Sequence, residues 1–165
     1  MPETPLNDSR PYRRGVGIAL INKKGMVFVG QRLDSTEPAW QMPQGGIDKG
    51  EEPRAAALRE LHEEIGTGKA EIVAETQGWL RYDLPPTIAA TMWKGKYRGQ
   101  EQKWYLMRFA GVDHDINIKT KHPEFSTWKW LPFHELPQVI VGFKREIYLQ
   151  VVAAFQAKVD QLAKR

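Results

Sequence analysis

The chain has 165 residues, 41% hydrophobic and 27% charged, with a formal net charge of +4 and no cysteine. That length and composition fit a single domain able to bury its own core, and exclude a disordered chain, a disulfide scaffold, a thiol nucleophile and a cysteine zinc site. No apolar run approaches the roughly 18 residues needed to cross a bilayer, and MPETPLNDSRPYRRG lacks a secretory signal, so a cytoplasmic location is expected.

Residues 1–11 hold Pro2, Pro5 and Pro11 and few apolar groups, and read as a flexible tail ahead of one domain over 12–165. Two apolar runs, 15–21 and 26–30, flank Asn22-Lys23-Lys24-Gly25 and predict a hairpin. A polar loop covers 34–38, and Trp40-Gln41-Met42-Pro43-Gln44-Gly45-Gly46 is an aromatic followed by turn residues. The strongest helix signal is 52–65. Pro53 suits a first turn, three alanines and two leucines favour helix, Gly66 stops it, and Leu58, Leu61 and Ile65 form one apolar stripe. Residues 70–75 and 78–84 read as extended, ending at Pro85-Pro86. Lys103–Phe109 is a β-prone core strand, 124–131 is extended, and 133–139 is a short helix. In 144–163, Ile147, Val151, Phe155, Val159 and Leu162 recur at helical spacing. Strands interleaved with two sizeable helices predict an α/β fold with a mixed central sheet.

Charge is unevenly placed. Residues 45–64 hold six acids against three bases, a net −3, leaving +7 on the rest. On a helix, Glu60, Glu63 and Glu64 converge on one patch with no lysine among them, and Arg59 and His62 project elsewhere or at its edge. Such a patch is either a solvated acidic face or a cradle for a hard divalent cation. Oxygen-only ligation suits Mg²⁺ or Mn²⁺, ions that keep waters and take substrate phosphates as further ligands. Glycines 45, 46 and 50 allow close backbone approach before the helix. The four histidines show no metal-site spacing, and there is no G-x-S-x-G elbow, so zinc and acyl-transfer chemistry are unsupported.

The combined segment Gly45-x5-Glu51-x7-Arg59-Glu60-Leu61-x-Glu63-Glu64-x-Gly66 resembles the Nudix box of hydrolases that cleave nucleoside diphosphates linked to another group. The one departure is Thr67, where an aliphatic residue is preferred. The resemblance extends from Tyr12 to the last helix. Tyr12-Arg13-Arg14-x-Val16-Gly17, Trp79-Leu80-x-Tyr82, Gly99-Gln100-x-Gln102-Lys103-Trp104, Glu124-Phe125-x-x-Trp128-x-Trp130 and Phe143-Lys144-Arg145-x-x-Tyr148 are similar to bacterial RNA pyrophosphohydrolases and plant-type diadenosine tetraphosphate hydrolases.

That resemblance implies an α/β/α sandwich, Mg²⁺ dependence with Mn²⁺ able to substitute, and water attack on a phosphorus. The substrate is then a 5′-triphosphorylated RNA end, a dinucleoside polyphosphate, or both. It implies that Glu60, Glu63, Glu64 and Glu124 hold metal, with the general base left open among them, that Arg59 braces the box, and that Glu51 ties the loop to the helix. It further implies that Phe143 stacks on a base, that Lys144 contacts phosphate, and that Arg32, Gln44, Gln102, Lys103 and Tyr82 lie near the nucleotide. Trp104 and Trp128 read as core. A monomer is expected, with neither DNA nor a membrane as partner. The alternatives are a non-catalytic nucleotide- or RNA-binding module on the same fold and an enzyme that sanitises mononucleotides.

Overall fold

The structure, a computed structural model, describes residues 9–34, 39–140 and 142–163. The strands are β1 (Tyr12–Ile21), β2 (Met26–Arg32), β3 (Gln44–Gly46), β4 (Ala70–Glu75), β5 (Leu80–Asp83), β6 (Gly99–Phe109) and β7 (Phe125–Pro132). The helices are α1 (Pro53–Ile65), α2 (Pro86–Ala89), α3 (Leu136–Val139) and α4 (Arg145–Ala163). Among these described residues no helix is long and apolar enough to cross a membrane.

The sheet runs β4-β6-β1-β2-β7, with β3 added to β1 and β5 added to β6. Its spine is a parallel pair, β1 with β6, in register from Tyr12 opposite Gly99 to Ile21 opposite Arg108. The other pairings are antiparallel, so the sheet is mixed. The hairpin from β1 to β2 forms as predicted, and Asn22 closes it by accepting from the backbone N–H groups of Lys24 and Met26, each at 3.0 Å.

Strand alternation sends the two faces of β1 to different cores. Val16, Ile18 and Leu20 pack with Phe28, Tyr105, Met107 and the α1 residues Ala56, Ala57, Leu61 and Ile65. Ala19 and Ile21 pack with Trp104, Leu106 and the α4 residues Tyr148, Val151, Phe155 and Val159. Helix–sheet–helix layering is therefore the α/β/α sandwich. Gly17 shows how closely the layers approach, because a Cβ there would sit 2.3 Å from the buried indole of Trp104. That ring is enclosed and has nowhere to go. Gly17→Ala is expected to cost about 1–3 kcal/mol of stability in a denaturant titration.

Three expectations need correction. Leu58 is 42% exposed and does not share the buried stripe. The inward face of α1 is Ala56, Ala57, Leu61, Glu64 and Ile65, since small alanines, not a third large residue, let the helix settle on the sheet. Strand β6 begins at Gly99, four residues before the apolar run, because Gln100, Glu101 and Gln102 are buried and their polar groups are met by side-chain partners. Lys144 belongs to a single 3-10 turn, Gly142–Lys144, and α4 starts one residue later. Helix α1 itself runs as expected from Pro53, with Gly66 left-handed at its end (φ 71°) and donating to the His62 carbonyl. Of the expected tail, residues 1–8 lie outside the described residues, as does most of the loop at 34–38. Arg10 donates to the carbonyls of Ala89 and Gly95, at 3.1 and 3.2 Å.

Sequence reading missed α2 and the turn Met92–Gly95 that follows it, between β5 and β6. In that turn Trp93 (φ 51°), Lys94 (φ 60°) and Gly95 (φ 70°) are left-handed in succession. A left-handed backbone costs a residue other than glycine roughly 1–2 kcal/mol.

Candidate active site

The site is assembled around β3, a three-residue strand that sequence reading took for a turn. The segment leading to it is fixed at several points. Trp40 donates to the Val139 carbonyl at 2.8 Å, Gln41 and Gly30 exchange backbone bonds, and the Met42 N–H donates to the buried Tyr148 hydroxyl at 2.8 Å. Gly45 and Gly46 then pair with Val16 and Gly15. Both glycines are required by their neighbours. A Cβ on Gly45 would lie 2.0 Å from the Glu60 carboxyl carbon, and one on Gly46 would lie 2.3 Å from Arg13 Nη2. The glycines thus make room for one acid and one base, a more specific role than loop flexibility.

Arg59 lies within the acidic face, a correction to its expected place at the edge. Its Nε and Nη2 donate to the two Glu51 oxygens at 2.8 and 2.9 Å, and Nη2 also donates to the Gly46 carbonyl at 3.0 Å. Its Nη1 donates to Glu60 at 2.9 Å and to Glu63 at 3.2 Å. One guanidinium therefore ties the glycine loop to α1 and bridges two of the three clustered carboxylates. Arg59 holds the Glu51 carboxyl down at about 2, helped by the Asp48 N–H. That geometry matches the loop-to-helix tie expected of Glu51.

Glu64 sits one turn beyond Glu60, 5% exposed, and its Oε2 is buried with no hydrogen-bond partner. Burial, and then the charges of Glu60 and Glu124, push its carboxyl up to about 9. Burial likewise raises Glu60. An orphaned buried carboxylate oxygen beside two further acids is a deficit of positive charge. Among the described residues no three acids or histidines stand as a ready ligand group, and the cation shared by Glu60 and Glu63 is Arg59. The donor set nonetheless fits a hard divalent ion: all oxygen, partly desolvated and short of positive charge.

Above these acids lies a cavity of about 500 Å³. Glu60 and Glu124 line its acidic end, with Arg13, Arg32 and Lys144 as its cations and Tyr82, Phe143 and Trp93 as its aromatics. Glu124 enters from the loop before β7. Its backbone oxygen accepts from Leu33, and its carboxylate is 3.7 Å from Arg32. Arg32 in turn makes two 2.8 Å bonds to Asp34. Lys144 Nζ is 3.4 Å from Gln41 Oε1, and burial, reinforced by Arg32, pushes its ammonium down to about 8. Tyr82 and Phe143 stand with ring centroids 6.0 Å apart, tilted by 41°.

The chain matches the NUDIX domain over residues 11–151. It belongs to the NUDIX family. It is 62% identical over 149 residues to the RNA pyrophosphohydrolase of Roseobacter denitrificans, covering 89% of this chain and 93% of that one. It is 56% identical to the RNA pyrophosphohydrolase of Rhodospirillum rubrum, covering 92% of each. Its fold is similar to that of a C. elegans Ap4A hydrolase binary complex (TM-score 0.64, 22% identity, 88% of this chain and 98% of the other). NUDIX hydrolases generally use divalent metal ions.

Not every residue expected near the nucleotide lines the NUDIX cavity. Arg32, Gln44, Tyr82, Phe143 and Lys144 do. Gln102 is buried behind it, donating to Gln44 at 3.0 Å and accepting from the Trp104 indole at 3.2 Å, so it positions Gln44. Lys103 points to the opposite face of β6 and pairs with Glu75 at 2.9 Å. Adjacent strand residues face opposite ways, so Gln102 and Lys103 cannot both reach the cavity. Sequence reading gave no role to Arg13, Gln41, Gln100 or Trp93, all of which line it. Strand alternation from Tyr82 and Gln102 could have found Gln100, whereas nothing local marks Trp93.

Proposed function

We propose that this NUDIX hydrolase is a magnesium-dependent pyrophosphohydrolase of 5′-triphosphorylated RNA ends, with dinucleoside polyphosphates as substrates of the same chemistry. The observation that carries this reading is the buried, unpartnered Glu64 oxygen, one helical turn from Glu60, which itself lines a cavity with basic and aromatic side chains. A phosphate chain matches the basic wall and a base matches the aromatic one. The relatives named RNA pyrophosphohydrolase, 48–62% identical over most of the chain, support the RNA end as substrate.

Glu60, Glu63, Glu64 and Glu124 are the proposed holders of Mg²⁺; Arg59 Nη1 would release Glu60 and Glu63 to it, while Nε and Nη2 keep Glu51 and the Gly46 carbonyl. When bound, the ion supplies Lewis-acid polarisation of a phosphoryl oxygen and lowers the pKa of water. The protein's own groups do the rest. Arg13, Arg32 and Lys144 hold the phosphate oxygens, and the Tyr82–Phe143 pair stacks on a base. Glu124, which like Glu64 takes no bond from Arg59, is the proposed acceptor of a proton from the attacking water. We place one catalytic unit over 12–165, working as a monomer in the cytoplasm.

The test is incubation of the protein with triphosphorylated RNA in ¹⁸O-labelled water with Mg²⁺. Release of pyrophosphate and label in one product phosphorus are expected, and binding without turnover would replace the enzyme by a binding module. Lys144 adds a pH signature. It is charged below about 8 and neutral above, so kcat/KM should fall as pH rises through that value. Lys144→Arg, which stays charged, should keep that limb flat.

A further inference from the structure

The face of β1 that looks towards the cavity is bare at two positions. Strand alternation puts Arg13, Gly15 and Gly17 on that face, and the two glycines have no side chain. Neither has room for one: a Cβ on Gly15 would lie 2.7 Å from the Gly45 carbonyl oxygen, and one on Gly17 would lie 2.3 Å from the Trp104 ring. Strand β6 runs alongside with Gln102 opposite Gly15 and Trp104 opposite Gly17, and on the other side β3 sets Gln44 opposite Gly17. The Gln102 side chain therefore has a clear path over β1, from Trp104 on its own strand to Gln44 two strands away.

Both ends of the Gln102 amide are used. Its Oε1 accepts from the Trp104 indole at 3.2 Å, and its Nε2 donates to Gln44 Oε1 at 3.0 Å. An amide can be seated either way round, but an indole N–H only donates, so Trp104 permits one seating. The other would leave that N–H unsatisfied in a place where Gln102 is 1% exposed and Trp104 fully buried. The indole is itself held, with Gly17 against its ring and Tyr148 meeting it edge-on at 5.9 Å. Fixing Gln102 fixes Gln44. Its Oε1 is committed to Gln102, and its Nε2, without a hydrogen-bond partner among the described residues, is the end left for the cavity that Gln44 lines. Turned the other way, Gln44 would show the cavity a carbonyl oxygen, which repels a phosphate where the N–H₂ attracts it.

We propose that Trp104 and Gln102 form a buried relay that locks the Gln44 amide with its N–H₂ turned into the cavity, so that Gln44 donates to a phosphate oxygen of the substrate. Gln102 and Trp104 touch no substrate and are positioning residues. The relay sets the polarity of a neutral group, and so adds to the cavity an anion contact that does not titrate beside the cations Arg32 and Lys144. The inference rests on the hydrolase reading for its phosphate-bearing substrate, though its central measurement is binding.

The experiment compares Gln102→Glu with Gln102→Met. An ionised carboxylate accepts from Trp104 but cannot donate, so it draws Gln44 Nε2 to itself and leaves Oε1 facing the cavity. Methionine fills the space without polarity, and Gln44 is then free to turn either way. The probes are a 5′-triphosphorylated dinucleotide with methylene-bridged phosphates, which cannot be hydrolysed at the bridges, and the same dinucleotide with a 5′-hydroxyl, each titrated with Mg²⁺ present. Gln102→Met is expected to raise Kd for the triphosphate probe about threefold at every pH and to leave Kd for the hydroxyl probe within about twofold. Gln102→Glu carries a pH signature that a structural role would not produce. At pH 6 the enclosed carboxyl keeps its proton, donates to Gln44 as the amide did, and should bind the triphosphate probe within about twofold of the parent. By pH 9 the loss relative to the parent at the same pH should reach about tenfold. Equal losses on the two probes, no loss with Gln102→Met, or a Gln102→Glu loss at pH 9 no larger than that of Gln102→Met would overturn the relay. If Gln102→Glu does not fold, Gln102→Met decides alone by the first two outcomes. A parent that prefers the triphosphate probe but releases no pyrophosphate from triphosphorylated RNA would sink the hydrolase reading and leave the relay standing.

Discussion

Glu64→Gln should lower kcat by about a thousandfold while leaving the metal-free protein at least as stable as the parent. Both halves follow from burial. The Glu64 carboxyl is enclosed, with one oxygen lacking a partner and its pKa pushed up to about 9. At neutral pH without metal it therefore holds its proton, and glutamine reproduces that neutral shape. The sign of the pH dependence follows. The unfolded chain gives up this proton near 4.5 and the folded chain near 9, so the unfolded state binds fewer protons between those values. Metal-free stability must then fall as pH rises from about 4.5 to about 9, and level off above. Glu64→Gln should remove this contribution to the slope. Mg²⁺ selects the deprotonated carboxylates, so it should raise the parent's Tm more at pH 8 than at pH 6, with a smaller effect on the variant. Calorimetry across pH, with and without Mg²⁺, reads all of this. A variant with parental turnover would end the assignment of the acidic helix to catalysis.

Gly45→Ala is expected to separate activity from stability in a different way. A Cβ at this position would lie 2.0 Å from the Glu60 carboxyl carbon. What must give is the end of a flexible side chain, unlike the enclosed indole that faces Gly17. Glu60 can swing away at modest cost, so Tm should drop by only a few degrees. The displaced carboxylate no longer meets Arg59 or the cavity, and a misplacement on the order of 1 Å costs about a hundredfold in rate. A kcat/KM close to that of the parent would mean that Glu60 does not need to stand where it does.

Much of this architecture is legible in the residue pattern. The hairpin follows from its turn residues, α1 from its helix formers and the Gly66 stop, and α4 from an apolar spacing that reports its own burial. The acidic helix and its glycine loop are equally visible. What Gly45 and Gly46 are for is not, since Glu60 and Arg13 reach them from other elements. The place of Arg59 is hidden for the same reason: helical spacing alone sets it beside the acids, while its bonds to Glu51 and Gly46 depend on the loop folding back. Lys103 illustrates the reverse error, in which similarity of a short motif draws in a neighbour whose side chain points through the sheet to Glu75. Trp93 sits in a segment without apolar period, and only its left-handed backbone and the guanidinium laid upon it mark it.

The parallel pairing of β1 with β6 also governs how the protein is made. Residues 12–21 are synthesised well before their central partner, residues 99–108. Until then a strand sealed on both faces in the finished molecule waits with its long edge open, and neither wall of the cavity can close. Folding of this core is thus deferred until residues 99–108 have been made, and loops of this length slow the search for contacts. Nascent chains halted before residue 99 should be sticky, protease-sensitive and dependent on chaperones, a vulnerability written into the strand order.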